Sequence, residues 1–365
     1  VNSGKIHPAD RRDQILMLVK ARGSIQVSET ARTMGVAPIT VRRDIADLAR
    51  QGKVEQVHGG ARRVDSSSVS LRAGATTVGV VTPSLDFYWP AIIDGANQAA
   101  DAVGARLVLQ GSTFAARDNL EQIKALVSES EVQGLLLVPD LEGPHAEELI
   151  DYLQTLDLPV VLVERSLSPR GRRTRVFESV TTNHVGGADL AVRHLANLGH
   201  RRIALLTDKR IPQRLRIEEG WRAALVDLGL DTGSPHADTT LLTDAARAQA
   251  IDGFVGKCVE SGVTAMLVHS DEAALGVLEQ LRSRGVDVPG RMSVVTYDDE
   301  LATLARPALT AIAPPKREIG VYAMETLTNR LVHPDRALIH VSLEPALVVR
   351  DSTGAPPDLS DSSAG

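Results

Sequence analysis

The sequence predicts a multidomain chain. A small α+β unit built on a winged helix-turn-helix occupies residues 1–64, and a two-lobed α/β unit with doubly wound parallel sheets occupies residues 77–350. Three observations lead there: a charge split near residue 64, two short amphipathic helices joined by a Gly-containing turn, and a regular strand-helix alternation that begins at Thr77.

The 365 residues carry a net charge of −6, with 43% hydrophobic and 24% charged residues. That composition fits folded domains, and the length exceeds what one compact core of typical size holds. The charge is unevenly placed. Residues 1–64 hold 12 Lys/Arg against 6 Asp/Glu, so from totals of 40 and 46 the remainder holds 28 basic and 40 acidic residues, +6 followed by −12. A small basic unit on a large acidic one suits a chain in which only the first unit approaches a polyanion. No apolar run of membrane-spanning length occurs and the start lacks a secretory pattern, so a cytoplasmic protein with no membrane partner is expected. The single cysteine, Cys258, has no disulfide partner and reads as a small apolar filler.

Within the basic unit, Ile15, Leu16, Leu18 and Val19 recur at helical spacing between Arg11 and Ala21, and Arg22-Gly23 stops the run. A second helix opens at Val27-Ser28-Glu29, with Ser28 placed as an N-cap, and stops at Met34-Gly35. The third runs from Pro38 to Arg50; Val41, Ile45 and Leu48 share one face while Thr40, Arg42, Arg43 and Asp47 project elsewhere. Val54 to His58 then alternates before Gly59-Gly60, as a wing would. Arginines suit groove reading because they grip guanine or phosphate through two hydrogen bonds. The plainer alternative is that Arg42 and Arg43 are surface charges paired with Asp44 or Asp47. Residues Asp65 to Thr76 are Ser-rich and read as a linker.

From Thr77 the runs Val78–Val81, Leu107–Leu109, Leu135–Val138, Val160–Val163, Ile203–Leu206, Met266–Val268 and Val294–Thr296 read as buried strands. Helical stretches lie between them, including Ala91–Val103, Leu120–Ser128, Ala188–Leu198 and Ala273–Arg284. Too many strands occur for one small sheet, so two lobes with a cleft at the carboxyl ends of their strands are expected. The tail from Asp351 to Gly365 reads as disordered.

The basic unit resembles the N-terminal domain of DeoR-type regulators. The residues that carry the likeness are Arg12-Asp13-Gln14-Ile15-Leu16, Val27-Ser28-Glu29-Thr30-Ala31, Gly35-Val36, Thr40-Val41-Arg42-Arg43-Asp44-Ile45, Gly52-Lys53-Val54 and Val57-His58-Gly59-Gly60-Ala61. The resemblance implies sequence-specific DNA binding through Ser28, Ala37, Pro38, Ile39, Thr40, Arg42, Arg43 and Asp47, with Gln56, His58 and Gly59 of the wing near the backbone. Pro38 stands where a polar residue is often found, so base preference does not carry over.

Residues 77–350 resemble the ligand-binding part of the lactose-repressor (LacI) family and of periplasmic sugar-binding proteins. The marks include Gly79-Val80-Val81-Thr82-Pro83, Val160-Val161-Leu162-Val163-Glu164-Arg165, Leu198-Gly199-His200-Arg201-Arg202-Ile203, Ser270-Asp271-Glu272-Ala273-Ala274 and Val294-Val295-Thr296-Tyr297-Asp298-Asp299. Aromatic residues are only 3% of the chain, yet Phe87, Tyr88 and Trp89 stand together after the first strand of this unit, as a core cluster or as a flat wall for a sugar ring. The resemblance places Asp86, Tyr88, Trp89, Glu164, Arg165, Arg216, Ser270, Asp271 and Asp298 at an effector site. Arg216 lies four residues before Gly220-Trp221, where the family has three; Ser270 replaces a common Asn and Pro314 a frequent Gln. The linker shows no counterpart of the family's hinge helix.

The expected function is a ligand-controlled, dimeric or tetrameric DNA-binding regulator, in the first instance a repressor of carbohydrate uptake or catabolism genes. Its partners would be operator DNA and a sugar-like effector. A response to a nucleoside or purine, an activator, and a sugar-binding receptor are the alternatives. No phosphate loop, nucleophile elbow or paired metal motif occurs, and His194 with His200 has no metal spacing, so neither catalysis, cofactor nor metal is expected.

Overall fold

The computed structural model describes residues 8–22, 24–50, 54–57, 59–63, 76–167, 176–209, 211–239 and 244–357. The chain divides into two compact units, residues 1–70 and 71–365. The linker at residues 65–76 lies almost wholly outside the described residues.

The first unit runs α1 (Pro8–Arg22), β1 (Ser24–Gln26), α2 (Val27–Met34), α3 (Pro38–Arg50), β2 (Val54–Val57) and β3 (Gly60–Arg63). Ile15, Val19, Val41, Ile45, Leu48 and Val54 form its buried core, so the apolar spacing in the sequence identified the packed faces. Strand β1 was not expected. Three residues are too few for a periodicity, and β1 exists because it pairs antiparallel with β3, Ile25 opposite Ala61, giving a sheet of order β1-β3-β2. The cap assignment at Ser28 is corrected. Helix α2 begins at Val27, whose N–H donates to the Gly59 carbonyl at 2.8 Å, and Gln26 holds the cap position without a side-chain bond. Ser28 is therefore an exposed residue of the first turn.

The second unit continues β4 (Thr77–Thr82), α4 (Tyr88–Val103), β5 (Arg106–Gly111), α5 (Ala116–Glu129), β6 (Gly134–Leu137), α6 (Ala146–Thr155), β7 (Val160–Val163) and β8 (Glu178–Thr182). Then come α7 (His184–Asn197), β9 (Ile203–Asp208), α8 (Arg214–Asp227), β10 (His236–Thr239), α9 (Asp244–Glu260), β11 (Ala265–Val268), α10 (Asp271–Ser283), β12 (Ser293–Tyr297) and β13 (Thr310–Ala313). Helix α11 (Lys316–Val332) and strands β14 (His340–Leu343) and β15 (Ala346–Val348) complete it. Two six-stranded sheets result, ordered β14-β8-β7-β6-β4-β5 and β10-β9-β11-β12-β13-β15, parallel except where β15 runs antiparallel to β13. Each sheet is covered on both faces by apolar layers, as doubly wound sheets require.

All seven apolar runs fall in strands. Of the five further strands, β8 reads Glu-Ser-Val-Thr-Thr, β10, β14 and β15 lie at sheet edges, the first two beginning with histidine, and β13 is a short buried Thr-Ala-Ile-Ala. Their positions reveal something the sequence pattern did not, namely that the chain passes between lobes three times: β8 to α7, β13 to α11, and β14 to β15. These crossings form the hinge.

The tail expectation is corrected for residues 351–357. Ser352 is fully buried; its Oγ donates to the Val294 carbonyl at 2.5 Å and accepts from the Thr310 N–H at 2.8 Å, while the Gly354 N–H donates to Ser293 Oγ at 3.0 Å. This segment closes the C-lobe by satisfying polar groups of the neighbouring strands. Cys258 is buried in the apolar layer of that lobe, and burial pushes its thiol up to about 12, as the filler reading requires.

Candidate functional site

In the first unit the carboxylates of α3 turn toward α1. Arg11 Nε and Nη2 donate to Asp44 at 2.5 and 3.1 Å in a buried two-bond pair, and Arg12 Nη1 donates to Asp47 at 3.2 Å. This removes the alternative in which Asp44 or Asp47 neutralises Arg42 and Arg43. Both arginines are exposed, and neither forms an ion pair among the described residues. Asp47 is itself corrected: it is engaged by Arg12 rather than projecting as a reader. Ile39, 68% exposed, adds an apolar tip of the kind that contacts a thymine methyl. Ala37, also exposed, accepts the Thr40 N–H at 2.9 Å, and Pro38 stands in the first turn, where its missing N–H sacrifices no helical bond. Thr40 is half-buried.

The wing turn explains its two glycines separately. Gly59 has φ of 80°, a left-handed conformation, while a Cβ on Gly60 would lie 2.0 Å from the Ile25 carbonyl oxygen and part β1 from β3. Gln56 is paired through its backbone with Ala61. His58 lies outside the described residues. The exposed face of α3 thus presents Ile39, Arg42 and Arg43 on a helix whose Asp44 and Asp47 are paired with α1.

In the second unit a cavity of about 440 Å³ opens between the lobes, bordered by Glu164, Arg165, Asn183, His184, Gln213 and Arg216 among others. A neighbouring cavity of about 360 Å³ shares Glu142, Arg165 and Pro212 with it. Of the nine expected effector residues, Glu164, Arg165 and Arg216 reach this cleft. Arg216 is exposed and pairs with Glu219 at 3.0 Å.

Glu164 organises the hinge side. The left-handed backbone at this residue, φ 52°, turns its carboxylate inward at the end of β7. There it accepts from Tyr88 Oη at 2.7 Å, Thr182 Oγ1 at 2.6 Å and Thr182 N at 3.0 Å, with His184 Nε2 at 3.3 Å. Burial pushes this carboxyl up, but the His184 bond and charge and the two Thr182 donors outweigh it and hold its pKa at about 2. His184 Nδ1 lies 3.1 Å from Tyr297 Oη, so one imidazole touches a carboxylate of the N-lobe and a hydroxyl of the C-lobe. Beyond it His269 packs on Tyr297 with ring centroids 5.3 Å apart and lies 3.8 Å from Asp298. Burial raises the Asp298 carboxyl, with His269 opposing. Lys316 closes the circuit: it donates to the Asp298 carbonyl, pairs with Glu300 at 2.5 Å and sits 5.3 Å from the centre of the Tyr88 ring. Tyr88 and Asp298 are thus members of a polar ring at the hinge, behind the cleft.

Two expected residues are corrected. Trp89 is 6% exposed and packs with Ile92 and Val80 in the N-lobe core, because the helix turn after Tyr88 directs it onto the sheet. Asp271, 2% exposed, is fully engaged: Thr296 Oγ1 donates to it at 2.7 Å and the N–H groups of Glu300 and Leu301 at 2.6 and 2.7 Å. It ties the loop after β12 to α10. Asp86 is exposed, Ser270 precedes α10 without a side-chain cap, and neither borders the two cavities.

Sequence reasoning missed Asn183, His184 and Gln213. The available signal was the β-branched Val180-Thr181-Thr182 followed by Asn183, whose side chain accepts the Gly186 N–H at 2.9 Å and starts α7 four residues before the expected Ala188. The Gly186-Gly187 pair hid that start. Gly187 is there because a Cβ would meet the Tyr297 hydroxyl at 2.4 Å, and the close approach is what brings His184 to Tyr297.

Comparison with known proteins decides the assignment. Residues 11–67 match the DeoR-like helix-turn-helix domain and residues 192–353 the periplasmic binding protein-like domain. An uncharacterized HTH-type transcriptional regulator in the aml 5' region of Streptomyces limosus is 31% identical over 294 residues, 77% of this chain and 80% of that protein. The crystal structure of a LacI transcriptional regulator from Rhodococcus species matches with a TM-score of 0.63 and 25% identity, covering 76% of this chain and 98% of that one. The chain belongs to the LacI family of transcriptional regulators. This LacI-family regulator is also 27% identical over 341 residues to the arabinose metabolism transcriptional repressor of Geobacillus stearothermophilus, 89% of this chain and 90% of that protein. It joins a DeoR-like head to a LacI-type effector unit. Among its described residues no helix is long and apolar enough to cross a membrane.

Proposed function

We propose that this regulator is a cytoplasmic homodimer that represses carbohydrate uptake or catabolism genes and is released or retained on its operator by a small sugar-like effector in the interlobe cleft. The observation that carries this reading is the cleft itself: a cavity of about 440 Å³ bordered by polar side chains and backed by a polar ring that spans the hinge. Sugar hydroxyls need such a wall of donors and acceptors, and a ligand touching both lobes favours their closed arrangement. The likeness to an arabinose metabolism repressor supports the carbohydrate class. Two-fold symmetry of the protein would match a palindromic operator. On this reading the cleft binds and the head reads, and no residue has a catalytic role.

The test is thermal stabilisation across a panel of pentoses, hexoses and nucleosides, followed by DNA binding with any stabilising compound. A saturable shift that Arg165→Ala or His184→Ala abolishes supports the cleft as the effector site. Stabilisation by nucleosides alone would replace the sugar class.

A further inference from the structure

The two cavities meet at Arg165, which borders both. This guanidinium is 6% exposed, yet its bonds go to neutral oxygens: Nε donates to the Pro139 carbonyl at 3.1 Å and Nη1 to the Glu164 carbonyl at 2.7 Å. Among the described residues no carboxylate pairs with it. The acids nearby are committed elsewhere. Glu164 is held by Tyr88, Thr182 and His184, and Asp140 Oδ1 accepts the N–H groups of Glu142 and Gly143 at 3.1 and 2.9 Å. A buried cation without a counter-ion is costly unless a ligand completes it. Burial indeed depresses this guanidinium to about 10 despite those acids.

The rest of the cleft repeats the pattern. Lys209 is exposed at the second cavity with no ion pair among the described residues, while Arg214 there is already paired with Asp238 at 3.2 Å. The remaining carboxylate on these walls, Glu142, is exposed and therefore free to turn into solvent. In the first cavity the buried Oε1 of Gln213 has no donor, which a ligand hydroxyl would supply.

We propose that the effector is an anionic sugar derivative, a polyol bearing a phosphate or carboxylate group, whose oxyanion pairs with Arg165 where the cavities join and whose hydroxyls face Gln213 in the first. Lys209 adds a second positive charge from the opposite lobe, so binding the anion draws the lobes together. The inference rests on the cleft being the effector site.

The experiment is calorimetric titration of the full chain with matched sets: a neutral sugar, its phosphate ester, and the corresponding sugar acid, with inorganic phosphate as a fourth probe. One charged member should bind at least about tenfold tighter than its neutral parent, the scale of a charge-assisted hydrogen-bond pair. Which charged member wins separates phosphate from carboxylate. Arg165→Met should remove the preference and Arg165→Lys restore part of it. Lys209→Ala, an exposed change that leaves the fold alone, should weaken the charged ligand several-fold and not the neutral one. Equal or tighter binding of the neutral sugar overturns the anionic assignment and leaves the cleft reading standing. Binding of inorganic phosphate as tight as any sugar phosphate overturns recognition of the polyol. Absence of binding by every carbohydrate overturns both.

Discussion

Acid should weaken the effector unit in a way that Glu164→Gln removes. The Glu164 carboxyl has a folded-state pKa of about 2 against an ordinary 4.5. A depressed carboxyl contributes stability that is fully present above its unfolded value and is lost as pH falls toward the folded one. Across the whole interval that loss is roughly 3 kcal/mol, and roughly 1 kcal/mol of it is gone at pH 3.5. Both tryptophans, Trp89 and Trp221, lie in this unit and are buried, so urea unfolding followed by tryptophan fluorescence reports on it alone. Glu164→Gln should lower stability at neutral pH, because its amide keeps one acceptor oxygen where the carboxylate offers two and so cannot accept from all three of Tyr88 Oη, Thr182 Oγ1 and the Thr182 N–H. The variant should then lose less with acid than the parent. Asp298, raised by burial, titrates with the opposite sign in both proteins and cancels from the comparison. Parallel stability curves for parent and variant between pH 6 and pH 3.5 would refute the account of the hinge.

Replacing Arg42 or Arg43 with Ala should leave thermal melting unchanged and cost about 1–3 kcal/mol of operator binding if the residue grips a base; a phosphate contact would instead reduce the salt slope by about one. Fluorescence anisotropy at two salt concentrations separates these. Asp44→Ala removes the two-bond acceptor of Arg11 at the contact of α1 with α3 and should destabilise the first unit by about 1–3 kcal/mol, seen in far-ultraviolet circular dichroism as an earlier transition. Gly187→Ala places a methyl group 2.4 Å from the Tyr297 hydroxyl and should cost about 1–3 kcal/mol in the fluorescence assay, with His184→Ala relieving none of that clash.

The parts of this molecule that follow local rules were legible in its sequence. The Val41, Ile45 and Leu48 spacing located the buried face of α3, and the β-branched runs located seven parallel strands, because periodicity and burial act within a dozen residues. What escaped depends on segments far apart. Strand β1 owes its existence to β3, and the three lobe crossings follow from β14 and β15 joining different sheets near the end of the chain. The expected effector residues divide along the same line. Arg165 and Glu164 end a strand whose run was plain to see. Trp89 could not be told from Tyr88, since adjacent helical positions differ by a rotation that only the start of α4 fixes. Asp271 looked like a ligand group because its partners, Thr296 and the 300–301 backbone, are brought to it by tertiary packing.

The central claim is that one chain reads DNA with α3 and has that reading adjusted from the cleft. Operator affinity should therefore be measured by anisotropy with and without a saturating cleft ligand, in the parent and in Arg165→Met. The account predicts a change of about 5–150-fold in the parent, the range of a coupling of about 1–3 kcal/mol, and none in the variant. An operator affinity that the bound ligand leaves unchanged in the parent would contradict it.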